Sequence, residues 1–274
     1  MLGITPKQKT FILPGLNPLV IRGHSRSAKR TGYIIMPYNI VLDAGYAFEK
    51  PSNLTLVSHG HHDHIAALYQ ILKETKNRFV MIPKSIESDV HDLLNSSSKL
   101  DGGSNIFKWS PITANEYITK INGKKIKILT YNLDHRVETI GFGVNEIQEK
   151  LKPEFSNLNP KEIKILIEQK IDFKYNVSVP ILLFVSDTSR NVLTHLPFAN
   201  YKLVIIECTF FHKDDYFNAQ NKKHIHWNDL EKVVKENTDT HFILGHFSAK
   251  YKNEYLTEME SNIKKMYSNI TFWI

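Results

Sequence analysis

The sequence predicts an α/β fold in which β-sheets are covered by helices on their outer faces. Three observations carry this reading. The early part of the chain is a succession of short apolar runs split by Gly, Pro and Asn. Further on, helical periodicity alternates with strand-like runs. The 274 residues, 42% hydrophobic and 23% charged, suffice for one large two-layer fold with a real core.

The elements follow in order. Leu19–Ile21, Tyr33–Met36, Ile40–Leu42 and Leu54–Val57 read as strands. The last ends in a histidine cluster, after which Ile65, Leu68, Ile71 and Leu72 fall at helical spacing. Phe79–Ile82 reads as a strand, Lys84–Leu94 as a helix, and Lys125–Tyr131 with Ile140–Val144 as a strand pair. From Gln148 to Val179 there is no glycine and the charges are mixed, which predicts an excursion from the core with a helix near Pro160–Gln169. Strands return at Ile181–Val185, Leu203–Ile206 and His241–Leu244, with helices near Asn228–Lys235 and Glu254–Met266. There is no internal repeat and no low-complexity tail, so the chain reads as one domain, 1–274, with an inserted arm at about 148–179.

Lys and Arg outnumber Asp and Glu 35 to 28, a net charge of +7. A basic balance favours anionic partners such as nucleic acid or phosphate esters, although a solvated lysine surface gives the same number. The single cysteine, Cys208, excludes an intrachain disulfide and points to a reducing compartment. No apolar run has the length of a signal segment or membrane span, so a soluble, intracellular protein is expected, cytoplasm and nucleus being indistinguishable.

The informative stretch is Ser58-His59-Gly60-His61-His62-Asp63-His64. Alternate side chains of extended backbone share a face, so His59 and His61 can converge on one ion. Asp63 and His64, on the turn into the helix, can grip a second ion beside it. Hydrolysis at a bridged metal pair needs this arrangement, since the ions ionise a water near neutral pH and clamp the attacked group. The remaining ligands must come from later strand ends, and three candidates share one grammar, an apolar strand followed by a ligand. They are His135, Asp187 and His246.

These motifs resemble a known family. Residues 58–64 match the His-x-His-x-Asp-His motif of the metallo-β-lactamase superfamily, and Leu42-Asp43-Ala44-Gly45 resembles the turn that precedes it. His135 to Phe142, Ser186-Asp187-Thr188, Ile206-Glu207-Cys208-Thr209-Phe210 and His246-Phe247-Ser248-Ala249-Lys250-Tyr251 resemble, in order, segments of ribonuclease Z, the tRNA 3′-endonuclease. The resemblance implies an αββα sandwich of two mixed β-sheets with helices on the outer faces. It implies two divalent ions, zinc first and manganese second. His59, His61, His135 and Asp187 would hold one; Asp63, His64, Asp187 and His246 would hold the other. Asp63 would also orient the attacking hydroxide.

A further histidine beside the leaving group is expected in a His-Ser-Thr segment. Here the text is Lys223-His224-Ile225-His226-Trp227, so His224 and His226 both stand for it, with spacing slightly favouring His224. Glu207 could orient that histidine, or be a strand-end carboxylate in a surface ion pair. Trp227 reads as a helix-start core anchor before a base-stacking residue. Arg26 and Arg30 read either as phosphate contacts or as part of a basic surface loop. The glycine-free arm departs from the family's glycine- and proline-rich tRNA-gripping insertion.

The sequence therefore predicts a metal-dependent endoribonuclease or phosphodiesterase. Its expected partner is RNA, a tRNA precursor first; a homodimer is open and no membrane is involved. The competing readings are a hydrolase of the same fold acting on a small ester, thioester or cyclic phosphodiester, and a nucleic-acid-binding protein with a degenerate site.

Overall fold

The computed structural model describes residues 6–274. Its first sheet runs β1 (Lys7–Phe11), β2 (Leu19–Arg26), β3 (Arg30–Met36), β4 (Ile40–Leu42), β5 (Leu54–Leu56), β6 (Phe79–Met81) and β7 (Ser110–Ile112), in chain order across the sheet. Its second runs β8 (Glu116–Ile121), β9 (Lys124–Leu133), β10 (Thr139–Leu151), β11 (Lys174–Val185), β12 (Leu203–Glu207), β13 (His241–Gly245) and β14 (Ile270–Phe272). In each sheet the first four strands pair antiparallel and the rest parallel. Both sheets are thus mixed.

The period-2 alternation of side chains makes the layers. On β4, Ile40 and Leu42 face the core between the sheets while Val41 faces outward. On β12, Leu203 and Ile205 face inward while Val204 and Ile206 face outward. Outside the first sheet lie α1 (His62–Ile65), α2 (Leu68–Lys73) and α3 (Glu87–Leu100), packed through Leu68, Ile71, Leu72, Val90 and Leu94. Beyond β11 come α5 (Tyr216–Lys222), α6 (Trp227–Glu236) and α7 (Asn253–Lys264), where α6 and α7 cover the second sheet through Trp227, Leu230, Val234, Leu256 and Ile263. Trp227 is buried and stacked on Phe211 at 6.2 Å, so it is a core anchor.

Two expectations are corrected. The helix after the histidine cluster is two helices. The Ala67 N–H donates to Ala44 O at 2.7 Å and the Ala44 N–H to His64 O at 2.6 Å, so the end of β4 takes hydrogen bonds a continuous helix would use. The helix placed at Lys84–Leu94 begins at Glu87, after a 3₁₀ turn over Lys84–Ile86. The excursion leaves the sheet at about Gln148: β9 pairs with β10 only to Ile147 and β12 with β11 only from Leu183, and between them β10 and β11 continue as a two-stranded ribbon to Leu151 and Lys174. Pairing overrides the low strand propensity of Asn145, Glu146, Gln148 and Glu149. Beyond that ribbon α4 (Pro160–Glu168), capped by Asn159 and Glu162, buries no residue. No helix among the described residues is long and apolar enough to cross a membrane.

Candidate metal centre

The chain turns at the ends of β4, β5, β9, β11, β12 and β13, and the site is built from those turns. His59 and His61 lie between β5 and α1, Asp63 and His64 on α1, and His135 between β9 and β10. Asp187 follows β11 and His246 follows β13. Asp43 and His246 hold left-handed backbone, with φ of 55° and 59°. A non-glycine residue there costs about 1–2 kcal/mol, which the surrounding packing must offset. Gly45 is required sterically, because a Cβ would lie 1.8 Å from the Asp63 carbonyl oxygen.

All seven predicted ligands converge. His59, His61, His135 and Asp187 form one group and Asp63, His64 and His246 another, each with its donor atoms within 4.8 Å of one another. His59 Nε2 is 2.9 Å from His61 Nδ1 and 3.8 Å from Asp187 Oδ2. His135 Nε2 is 3.9 Å from that same oxygen. Asp187 Oδ1 instead faces the second group, 3.5 Å from His64 Nε2 and 3.2 Å from His246 Nε2. Asp63 Oδ2 lies 3.5 Å from each of those two nitrogens. Ligands about 2.1 Å from a tetrahedral ion stand about 3.4 Å apart, so spacings of this size suit metal coordination.

The donor chemistry fits divalent cations. His64 Nδ1 donates to Asp43 Oδ2 at 2.7 Å, His135 Nδ1 to Lys223 O at 3.0 Å, and His246 Nδ1 to Thr209 Oγ1 at 3.1 Å. His59 Nδ1 is 2.9 Å from Ser58 Oγ. In each ring this leaves the Nε2 lone pair aimed inward, the form a metal takes. His135 Nε2 and Asp187 Oδ1 are buried without a hydrogen-bond partner, which an interior tolerates only when something else satisfies them. Burial holds His59, His61 and His135 below the usual imidazole range and so neutral. For His64, burial is outweighed by Asp187 and Asp43, which raise it. For Asp187, burial is outweighed by His246, His64 and His59, which keep it ionised. The carboxylates thus call for positive charge in their midst, which suits a divalent cation.

Of the two histidines left open, only His224 reaches the centre, its ring 5.1 Å from His135 and 5.4 Å from His246. Its Nδ1 donates to Glu207 Oε1 at 2.9 Å. His226 is fully buried and turned elsewhere. Its Nδ1 accepts from Asn228 N at 3.1 Å, capping α6, and its Nε2 donates to His212 O at 3.0 Å. Glu207 is buried, not part of a surface ion pair, and also accepts from the Thr188 N–H at 2.7 Å and Thr209 Oγ1 at 2.6 Å. Asp187, His224 and His246 form a third converging group, so His224 borders both of the other groups directly.

Two contributors were not singled out from sequence. Asp43, fully buried, orients His64 and also accepts from the Ser58 N–H at 2.7 Å and Ser186 Oγ at 3.1 Å. The Ala28 N–H, on the β2–β3 hairpin, donates to Asp63 Oδ2 at 2.9 Å. A carboxylate between an apolar strand and Ala-Gly was the available signal for Asp43; no local signal marks a backbone amide. On the same hairpin Arg26 hydrogen-bonds the Tyr251 carbonyl, and Arg30 is exposed.

No family model matches the chain. It is 26% identical over 247 residues to tRNase Z of Arabidopsis thaliana, covering 84% of this chain and 86% of that protein. Among solved structures it is similar to the metallo-β-lactamase fold protein YhfI of Bacillus subtilis, with TM-score 0.61, 15% identity and coverage of 94% and 96% of the two chains. It is also similar to the short form of human tRNase Z, with TM-score 0.54, 15% identity and coverage of 92% and 95%. A diphosphatase of the PhnP family gives TM-score 0.54 at 12% identity, covering 89% and 80%. Two mixed sheets with outer helices, the convergent His and Asp cluster and the sequence likeness lead to one statement: this chain has the metallo-β-lactamase fold and is similar to tRNase Z along most of its length.

Proposed function

We propose that the protein is an endoribonuclease that hydrolyses an RNA phosphodiester, with the 3′ end of a tRNA precursor as its first substrate. The observation that carries this is the buried Glu207–His224 pair beside the metal cluster. A substrate with a good leaving group needs no such acid, whereas an RNA alkoxide does. The likeness to tRNase Z supports the same reading.

His59, His61, His135 and Asp187 would hold one divalent cation, and Asp63, His64, Asp187 and His246 the other, zinc being favoured by the imidazole-rich set. Such a pair supplies an ionised water near neutral pH and a clamp for the scissile phosphate. Asp63, held at Oδ2 by the Ala28 N–H, orients the attacking water through Oδ1. His224, held by Glu207, gives its proton to the departing 3′-oxygen. Asp43 fixes the ring plane of His64. Cleavage of a tRNA precursor carrying a 3′ trailer tests this reading. A protein that leaves such RNA intact but turns over a small thioester or cyclic phosphodiester is a small-molecule hydrolase instead.

Two further results are expected. Purified protein should carry about two transition-metal ions per chain by elemental analysis, and protein that neither contains nor takes up metal would refute the centre. The arm beyond Leu151 and Lys174 contributes no ligand and exposes Ile165, Ile167 and Ile171, which suits a role in substrate choice. Replacing residues 152–173 by a short linker should weaken binding of structured RNA and leave hydrolysis of a small phosphodiester within about threefold. Equal loss on both substrates in a folded protein would count against that role.

A further inference from the structure

On the His224 side of the metal centre lies a polar cavity of about 210 Å³, lined mainly by Asp134, Ser189, Asn191, Gln220, Lys223 and His224. At about 30 Å³ per water it has room for about seven waters, the scale of a sugar ring rather than of a nucleotide with its base. Its walls are chain neighbours of the ligands, since Asp134 precedes His135 and Ser189 follows Asp187 by two positions. Hydrogen bonds lock these walls to the centre. Lys223 O accepts from His135 Nδ1 at 3.0 Å, the Asp134 N–H donates to Thr188 Oγ1 at 3.0 Å, and the Ser189 N–H to Asp134 O at 2.8 Å. An occupant is therefore held in the same frame as the metal ligands.

The cavity's carboxylate has capacity to spare. Asp134 accepts from Lys223 Nζ at 2.6 Å, Ser189 Oγ at 2.5 Å and Asn191 Nδ2 at 2.7 Å. An ionised carboxylate offers about four lone-pair sites, so one remains, and the Asp134 side chain is 30% exposed. An acceptor of this kind suits a hydroxyl, and the other charged residues of the lining, Arg190 and Asp229, face each other at 3.5 Å. Carboxylates hold ribose 2′-hydroxyls in the same way in dinucleotide sites. His224 is the only ring among these residues, so the cavity gives a base no stacking platform.

Building on the endoribonuclease reading, we propose that this cavity is the leaving-side ribose subsite, in which Asp134 accepts a hydrogen bond from the 2′-hydroxyl of the nucleotide whose 3′-oxygen departs. In the reaction the water oxygen bonds to phosphorus and the P–O3′ bond breaks. Its electron pair goes to O3′, which takes the His224 proton. His224 must therefore touch O3′, and the cavity His224 lines lies where the vicinal 2′-oxygen sits. The subsite selects RNA over DNA at one nucleotide.

The test compares RNA that is ribose throughout with the same RNA carrying one 2′-deoxy residue at that nucleotide. In the wild type the deoxy substrate should lose about ten- to hundredfold in kcat/KM, as expected for a hydrogen bond to a charged acceptor. In Asp134→Asn the ratio should fall below about threefold. Because the ratio is taken within one protein, a general loss of activity or metal cancels. Asn191→Leu, which fills the cavity wall without touching Asp134's chain position, should lower it too, so the test survives if Asp134→Asn fails to fold. Calorimetry supplies a readout independent of turnover. A short oligonucleotide ending in a ribose 3′-hydroxyl should bind the wild type more tightly than its 2′-deoxy counterpart, and the variants should lose the preference. Equal treatment of ribose and deoxyribose by the wild type, or an unchanged ratio in Asp134→Asn, overturns the subsite. If the all-ribose RNA is not cleaved, the endoribonuclease reading fails by itself. The calorimetric preference then decides the subsite: retained, it supports ribose recognition; absent, it refutes it.

Discussion

Asp63→Ala is expected to lower turnover by about a thousandfold or more while the sandwich stays folded. The size follows from what one side chain does. Its Oδ2 lies 3.5 Å from both His64 Nε2 and His246 Nε2, so on the proposed two-cation reading its loss would open one coordination shell. The same carboxylate, held by the Ala28 N–H at 2.9 Å, is the group placed to orient the attacking water. Folding is spared because Asp63 is not part of any apolar core cluster, and Ala keeps the Cβ and the carbonyl that packs against Gly45. Steady-state kinetics, circular dichroism and metal content measured together check this. A folded variant with normal metal and near-full activity would show that Asp63 has neither role.

His224→Ala is expected to slow RNA cleavage by about a hundredfold to ten-thousandfold and a nitrophenyl phosphodiester by only a few-fold. RNA cleavage expels a strongly basic alkoxide that needs a proton in the transition state, whereas a nitrophenolate leaves without one. The structure supplies a control in the neighbouring histidine. His226→Ala removes the side-chain cap of α6, worth about 1 kcal/mol or more of stability, and should affect both substrates alike. Glu207→Gln is a cleaner probe of the orienting carboxylate than Glu207→Ala, because Glu207 also satisfies the buried Thr188 and Ile225 amides. It should reproduce the His224 pattern more mildly. If His224→Ala slows both substrates equally, the proton-donor role fails.

Much of the centre was legible before any fold was known, because its grammar is local. An apolar strand followed by a histidine or aspartate places a ligand at a strand end, whatever the strand's neighbours. That logic reached His59, His61, Asp63, His64, His135, Asp187 and His246, and each of them lies in the cluster. The continuous apolar runs of β4 and β12 were likewise legible as strands, and they are buried at every position. The short edge strands β7 and β14 carry no continuous apolar run, since Ser110, Pro111 and Thr271 interrupt them.

The choice between His224 and His226 was beyond the sequence. Two residues apart on an irregular segment, they differ only in where the chain turns. Lys223 takes a left-handed φ of 54°, and His226 becomes the cap of α6, which turns its ring away from the His and Asp cluster. The tertiary structure also decided the hydrogen bonds from His64 to Asp43, from Ala28 to Asp63 and from His135 to Lys223, which join residues 21, 35 and 88 positions apart. No propensity or spacing encodes such pairs. They exist because sheet order brings the ends of β4, β5, β9, β11, β12 and β13 to one edge of the sandwich. What the residues can do chemically was set by their types, and which of them meet was set by strand order.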